Sequence, residues 1–85
     1  MSEPELAERL ESFVRDSFDV TPGDDHFGRD IDLFEQGYVD SVGLTELLAF
    51  MEEEFQVEVP EDDLLSDEFA TIDGMAGVLA RLSNR

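Results

Sequence analysis

The chain has 85 residues, with 23 acidic side chains against five arginines, and its formal net charge is −18 at pH 7. This charge would repel nucleic acids and anionic membranes and would attract basic proteins. Hydrophobic residues make up 41% of the chain and include seven Phe, which is too many for a disordered acidic tail. We therefore expect one small folded domain over residues 1–85, of modest stability because a chain of this size buries only roughly 60–65% of its potential surface.

The sequence contains no cysteine, so it offers no disulfide framework, no thiolate nucleophile and no cysteine-based metal site. It also lacks a basic start followed by an apolar run, and no apolar run approaches the length of a membrane span. We expect a cytoplasmic protein that does not enter a membrane.

The first predicted elements are a helix and a long loop. Pro4 is tolerated in a first helical turn, and apolar residues follow it at helical spacing: Leu6, Leu10, Phe13, Val14 and Phe18. Residues 19–40 contain Pro22, three Gly and many Asp without a sustained pattern, which is typical of a loop. We expect this loop to be held by four apolar residues, Phe27, Ile31, Leu33 and Phe34.

The clearest predicted helix begins at Ser41, where either Asp40 or Ser41 can cap it. Its apolar residues recur on one face that we expect to point to the core: Leu44, Leu47, Leu48, Met51 and Phe55. The helix should end before Val57, because Pro60 removes a hydrogen-bond donor and favours an extended residue before it.

Two further helical segments complete the prediction. A short helical turn is expected over residues 61–65, and Thr71 can cap a last helix with an apolar stripe of Ile72, Met75, Ala76, Leu79 and Leu82. Gly74 and Gly77 should each weaken that helix by about 1 kcal/mol relative to Ala. The sequence therefore predicts an all-α four-helix bundle of three main helices and one short one, and we expect a monomer because no heptad seam is present.

The face of the second helix opposite the core carries Val42, Glu46, Ala49 and Glu53. One interpretation is that Val42 packs against the loop and the acids only keep the protein in solution. The other is that this outward stripe of apolar and acidic residues binds a partner. Helical periodicity alone leaves both interpretations open.

Ser41 has an ordinary explanation as a residue favoured at a helix start. A hydrolytic nucleophile is a poor interpretation, because residues 39–43 contain only half of the G-x-S-x-G motif and no base is nearby. The single histidine, His26, lies in the loop and is assigned no role. The loop aspartates Asp24, Asp25, Asp30 and Asp32 lack the spacing of a calcium-binding loop, so no metal site is predicted.

Residues 30–60, DIDLFEQGYVDSVGLTELLAFMEEEFQVEVP, resemble the core of the acyl carrier proteins. The resemblance implies that a phosphopantetheinyl transferase attaches 4′-phosphopantetheine from coenzyme A to Ser41, and that Asp40 helps the transferase to engage. It implies a non-catalytic carrier of acyl or aminoacyl thioesters in fatty acid, polyketide or nonribosomal peptide biosynthesis. Its partners would be a loading ligase or transferase and downstream enzymes with basic surfaces, which would dock through Val42, Glu46, Ala49 and Glu53.

Two details differ from common fatty-acid carriers. The segment from Gly37 to Ser41 has one extra residue before Asp40, a spacing that looks closer to D-alanyl, aminoacyl and specialised-extender carriers. Ala49 stands where a larger apolar residue is frequent in the family. These details favour a discrete carrier of a specialised pathway. The alternative function is an acidic helical adaptor that is never modified and binds a basic protein.

Overall fold

A computed structural model describes residues 2–83, and within this range all regular secondary structure is helical. Helix α1 spans Glu3–Ser17, α2 spans Ser41–Phe55, α3 spans Glu61–Leu64 and α4 spans Ile72–Ser83. A 3₁₀ helix over Asp67–Ala70, which we name η1, connects α3 to α4 and was not predicted. The predicted all-α bundle of three main helices and one short one, with a long loop between the first two main helices, is confirmed.

The core lies where α1 and α4 pack closely together, and α2 contributes Leu47 and Met51 to it. The largest side chains that are fully buried come from all of these helices, η1 and the loop: Leu6, Leu10, Val14, Leu33, Leu47, Met51, Phe69, Ile72, Met75, Val78 and Leu79. In α2 only Leu47 and Met51 of the predicted stripe are fully buried. Leu44, Leu48 and Phe55 pack against the core but remain partly exposed, because the buried side of α2 is turned toward Gly43, Leu47 and Met51.

Helix α2 ends where the sequence predicted, but the residue that ends it is Gln56. This residue adopts a left-handed backbone conformation with φ of 54° directly after Phe55. Such a residue commonly terminates a helix, although glycine is the usual choice there. Pro60 lies further along and serves as the residue before α3.

The loop between α1 and α2 is held against η1 and the first turn of α4 by backbone hydrogen bonds. The Leu33 N–H donates to the Ala70 carbonyl at 2.9 Å, and the Asp73 N–H donates to the Arg29 carbonyl at 3.0 Å. Phe27 and Leu33 are buried in the core. Ile31 and Phe34 pack against it and are partly buried. The predicted anchoring of the loop by these four apolar side chains is confirmed.

Each of the four arginines within residues 2–83 is paired with a carboxylate. Three pairs join different segments: Arg9 with Glu54, Arg29 with Glu11, and Arg81 with Asp63. The hydrogen bond from Arg29, supported by Arg15, holds the pKa of Glu11 below its usual value despite partial burial. These pairs engage only three carboxylates, so most of the acidic side chains form no ion pair with an arginine of residues 2–83.

Gly74 is required by the close approach of η1 to the first turn of α4. A Cβ atom at this position would lie 1.7 Å from the Glu68 carbonyl oxygen and 2.6 Å from the Glu68 carbonyl carbon. At Gly77 a Cβ atom would meet only the flexible Glu3 carboxylate, at 3.3 Å. Two glycines with the same expected effect on helix stability therefore have different roles, since only Gly74 makes room for another backbone segment.

These two glycines give a matched pair of substitutions. Gly74→Ala should lower the free energy of unfolding by about 2 kcal/mol or more, because the backbone of η1 must move and the gain in helix propensity is only about 1 kcal/mol. Gly77→Ala should raise it by up to about 1 kcal/mol. Urea unfolding followed by circular dichroism measures both changes, and equal effects of the two substitutions would contradict the close approach of η1.

Candidate functional site

Ser41 is the first residue of α2, and its side chain is exposed. The residue before it, Asp40, has an extended backbone, and its Oδ1 atom accepts a hydrogen bond from the Gly43 N–H at 2.8 Å. The sequence left Asp40 and Ser41 as equal candidates for the cap, and the structure selects Asp40. The hydroxyl of Ser41 is therefore not needed to cap the helix.

The N-terminus of α2 presents free backbone N–H groups in a strongly acidic chain. Backbone and side-chain oxygens of Asp40 accept hydrogen bonds from Leu44 and Gly43. Within residues 2–83 no hydrogen-bond acceptor meets the N–H groups of Ser41 and Val42, and the first turn contains no acidic residue. Free amides at a helix N-terminus stabilise anions, so a phosphate group on the Ser41 oxygen would fit this position.

A tight turn places Asp40 and Ser41 at the start of α2. Gly37 has φ of 82°, a conformation that favours glycine. The next two N–H groups, those of Tyr38 and Val39, both donate to the Leu33 carbonyl, at 2.9 and 3.1 Å. The Val39 side chain is buried in the core. The Gly-x-x-Asp-Ser spacing therefore corresponds to a turn that fixes the direction of α2.

Tyr38 connects this turn to the far part of the loop. Its hydroxyl donates to the Asp24 carboxylate at 2.7 Å, while the other Asp24 oxygen accepts the His26 N–H at 2.8 Å. The Phe27 ring meets the Tyr38 ring edge to face, with centroids 5.3 Å apart. The bond to Asp24 raises the pKa of Tyr38, and the Tyr38 hydroxyl, followed by the His26 N–H, lowers the pKa of Asp24.

Gly43 allows the first turn of α2 to lie directly on the end of α1. A Cβ atom at this position would lie 2.8 Å from Cε1 of Phe18 and 3.1 Å from Cγ1 of Val39. The sequence analysis assigned Gly43 no structural role. A larger residue two positions after Ser41 would push the start of α2 away from α1.

The four outward residues of α2 are all exposed to solvent. Val42 is 69% exposed, which excludes the interpretation that it packs against the loop. Glu46, Ala49 and Glu53 are also exposed. The structure therefore brings Val42, Glu46, Ala49 and Glu53 together on one accessible helix face, and their role as docking residues stays a prediction.

His26 is exposed and contributes its backbone N–H, rather than its imidazole, to the Asp24 interaction. Within residues 2–83 the acidic side chains and the histidine form no group of three that could hold a metal ion. No helix in the same part of the chain is long and apolar enough to cross a membrane.

The role of Asp24 was missed from the sequence, because its partner Tyr38 is 14 residues away and no local spacing connects them.

Tyr38 is the only tyrosine and the chain contains no tryptophan, so its ionisation can be followed by near-ultraviolet absorbance. We expect its pKa in the folded protein to lie above 10, the ordinary value. Asp24→Asn should lower the pKa of Tyr38, because the carboxylate that opposes ionisation is removed. Asp25→Asn removes the same charge from an exposed neighbour and should change the pKa of Tyr38 much less.

The hydrogen bond between Tyr38 and Asp24 also makes the stability of the fold depend on pH. The raised pKa of Tyr38 stabilises the fold below the pKa of the unfolded tyrosine, and this contribution is lost as pH rises through the folded pKa. The lowered pKa of Asp24 stabilises the fold above the pKa of the unfolded aspartate, and this contribution is lost as pH falls through the folded pKa. Tyr38→Phe should remove the alkaline dependence and reduce the acidic one without abolishing it, because the His26 N–H still lowers the pKa of Asp24. Urea unfolding at several pH values would measure both changes.

The cap at Asp40 gives a second prediction for stability. Asp40→Ala should lower the free energy of unfolding by about 1 kcal/mol, because the Gly43 N–H loses its acceptor. Asp40→Asn keeps an acceptor oxygen and should change stability much less. Urea unfolding compares the two variants, and equal losses would show that the carboxylate acts through its charge rather than as a cap.

The sequence matches a family model described as phosphopantetheine attachment site over residues 8–79, which is most of the chain. A search of curated proteins found no match to this sequence. The family is defined by attachment of the 4′-phosphopantetheine prosthetic group, and the matched range runs from α1 to α4. The resemblance to carrier proteins is therefore confirmed, and the chain belongs to the phosphopantetheine-attachment family of carrier proteins, with 4′-phosphopantetheine as its cofactor.

Proposed function

We propose that the protein is a non-catalytic carrier that holds acyl or aminoacyl intermediates as thioesters on a 4′-phosphopantetheine group attached to Ser41. The observation that carries this proposal is the position of Ser41, which is exposed at the first residue of α2 while Asp40 performs the capping. The Ser41 oxygen is thus accessible to an enzyme without loss of a structural hydrogen bond. The whole of residues 1–85 would act as one carrier domain.

Attachment would use the Ser41 hydroxyl as the nucleophile. Its oxygen forms a bond to the phosphopantetheinyl phosphorus of coenzyme A, the pyrophosphate bond breaks, and 3′,5′-ADP leaves. The serine proton passes to a base of the transferase, since the only carboxylate next to Ser41 is engaged with the Gly43 N–H. The family match supports a phosphopantetheinyl transferase as the enzyme that supplies this base.

The residues around Ser41 would hold the phosphate end of the group. The free N–H groups of Ser41 and Val42 would face its negative charge. Asp40 would fix the turn and contact the transferase. When attached, the group supplies the thiol that a chain without cysteine lacks.

The outward face of α2 supports docking to basic enzymes. Val42 offers an exposed apolar contact, and Glu46 and Glu53 offer negative charge on either side of Ala49. Complementary charge accelerates encounter, and a small contact area allows fast release. These properties suit a cytoplasmic monomer that visits a phosphopantetheinyl transferase, a loading ligase or transferase and later biosynthetic enzymes in turn. The spacing before Asp40 and the small Ala49 favour a specialised pathway.

The test is the intact mass after incubation with coenzyme A and a broad-specificity phosphopantetheinyl transferase. The wild type should gain one phosphopantetheine, and Ser41→Ala should gain none. Ser83→Ala is a matched control, because Ser83 is also an exposed helical serine, and it should be modified like the wild type. Circular dichroism should show that all three proteins are folded.

Asp40→Asn separates the structural role of Asp40 from its role toward the transferase. This variant should stay folded but should be modified more slowly than the wild type, because the charge is lost while the cap is kept. If the folded wild type stays unmodified with several transferases, the carrier proposal is wrong. A basic partner that binds equally well to the wild type and to Ser41→Ala would then support the adaptor function.

A further inference from the structure

A groove of about 640 Å³ lies between α1 and α2 and is lined by these two helices alone. Its floor is formed by Phe13 and Phe50, whose rings are stacked with centroids 4.1 Å apart and planes 16° apart. Both rings pack against the core but are only partly buried. The sequence analysis did not assign Phe50, because it lies outside the apolar stripe of α2.

The sides of this groove are strongly acidic. Glu5, Glu8, Asp16 and Glu54 line it together with a single basic residue, Arg9. Arg9 is already paired with Glu54, so its charge is offset within the groove. The partly exposed aromatic floor therefore lies beneath an excess of negative charge.

The groove is continuous with the outward face of α2. A neighbouring depression of about 350 Å³ shares Phe13, Ser17 and Phe50 with it and adds Glu46, Ala49 and Glu53. The aromatic pair thus lies between a row of carboxylates on α1 and a second row on α2. An accessible surface that is apolar at its centre and charged at its edges is typical of a protein interaction site.

We propose that the α1–α2 groove is a docking surface for a basic amphipathic helix of a partner protein. An apolar side chain of that helix would cover Phe13 and Phe50, and arginines one turn away would pair with Glu8 and Asp16. A guanidinium group can also stack on an aromatic ring, which adds to its attraction here. The proposal extends the partner contacts of the proposed carrier function to α1, but it does not require that Ser41 be modified.

The negative charge of the groove favours a basic peptide over an anionic ligand. Anionic ligands, including a phosphate, a nucleic acid or a fatty-acid carboxylate, would be repelled by its carboxylates. A basic peptide would gain from both the aromatic floor and the acidic sides. No residue of the segment between α1 and α2 lines the groove, and this segment is packed against η1 through Leu33 and Ala70, so it does not cover the groove.

The test is a titration of the ¹⁵N-labelled protein with a synthetic amphipathic helical peptide of leucine and arginine. A peptide of the same composition in scrambled order is the control. Amide signals of Ser12, Phe13 and Phe50 should move with the amphipathic peptide.

Two double variants remove the same charge at different places. Glu8→Gln combined with Asp16→Asn, in the groove, should raise the dissociation constant of the peptide at least fivefold. Glu61→Gln combined with Asp62→Asn, at exposed sites on α3, should raise it less than twofold.

Equal weakening by the two pairs of substitutions, or shifts spread over α3 and α4, would overturn the proposal in favour of general attraction to an acidic surface. The same shifts in an acylated protein without peptide would also overturn it, because the occupant would then be the protein's own cargo. The titration is repeated with Ser41→Ala, which should bind equally well. A failure of Ser41 modification is therefore distinguishable from a failure of peptide binding.

Discussion

The position of Ser41 depends on the backbone hydrogen bonds of a single loop residue, Leu33. Its N–H group donates to the Ala70 carbonyl, and its carbonyl accepts hydrogen bonds from Tyr38 and Val39. The first bond fixes the loop to η1, and the other two fold the chain into the turn that leads to Asp40. Because the Leu33 side chain is completely buried, these bonds are shielded from water. The start of α2 is thus held by the same residue that joins the loop to the core.

The start of α2 differs electrostatically from the rest of the molecular surface. Over most of its surface the chain is negative, because the four arginines within residues 2–83 are each paired with an acid. At the N-terminus of α2, the N–H groups of Ser41 and Val42 have no acceptor within residues 2–83. In the proposed carrier, attraction to basic partners and stabilisation of the phosphate group would therefore come from different parts of the structure.

The features that could be predicted from the sequence are those that depend on residues close together in the chain. The stripe from Leu44 to Phe55 fixed the extent of α2, and the Asp-Ser pair placed the candidate site at its start. The bond between Tyr38 and Asp24 and the approach of Glu68 to Gly74 could not be predicted, because both depend on how distant segments meet. Phe50 was missed for a related reason. It lies outside the apolar stripe of α2, and its ring stacks on Phe13 of α1.

The capping of α2 by Asp40 affects how attachment of a group to Ser41 would change the stability of the fold. A group that binds or modifies the folded state shifts the folding equilibrium only through interactions that it creates or removes. Because Ser41 provides no cap, esterification of its hydroxyl removes no hydrogen bond from the fold. Attachment at Ser41, as proposed, would therefore not weaken the fold, and contact of the phosphate with the free N–H groups of Ser41 and Val42 would add to its stability. The unmodified and modified proteins would present the same scaffold, and an enzyme would distinguish them by the attached group itself.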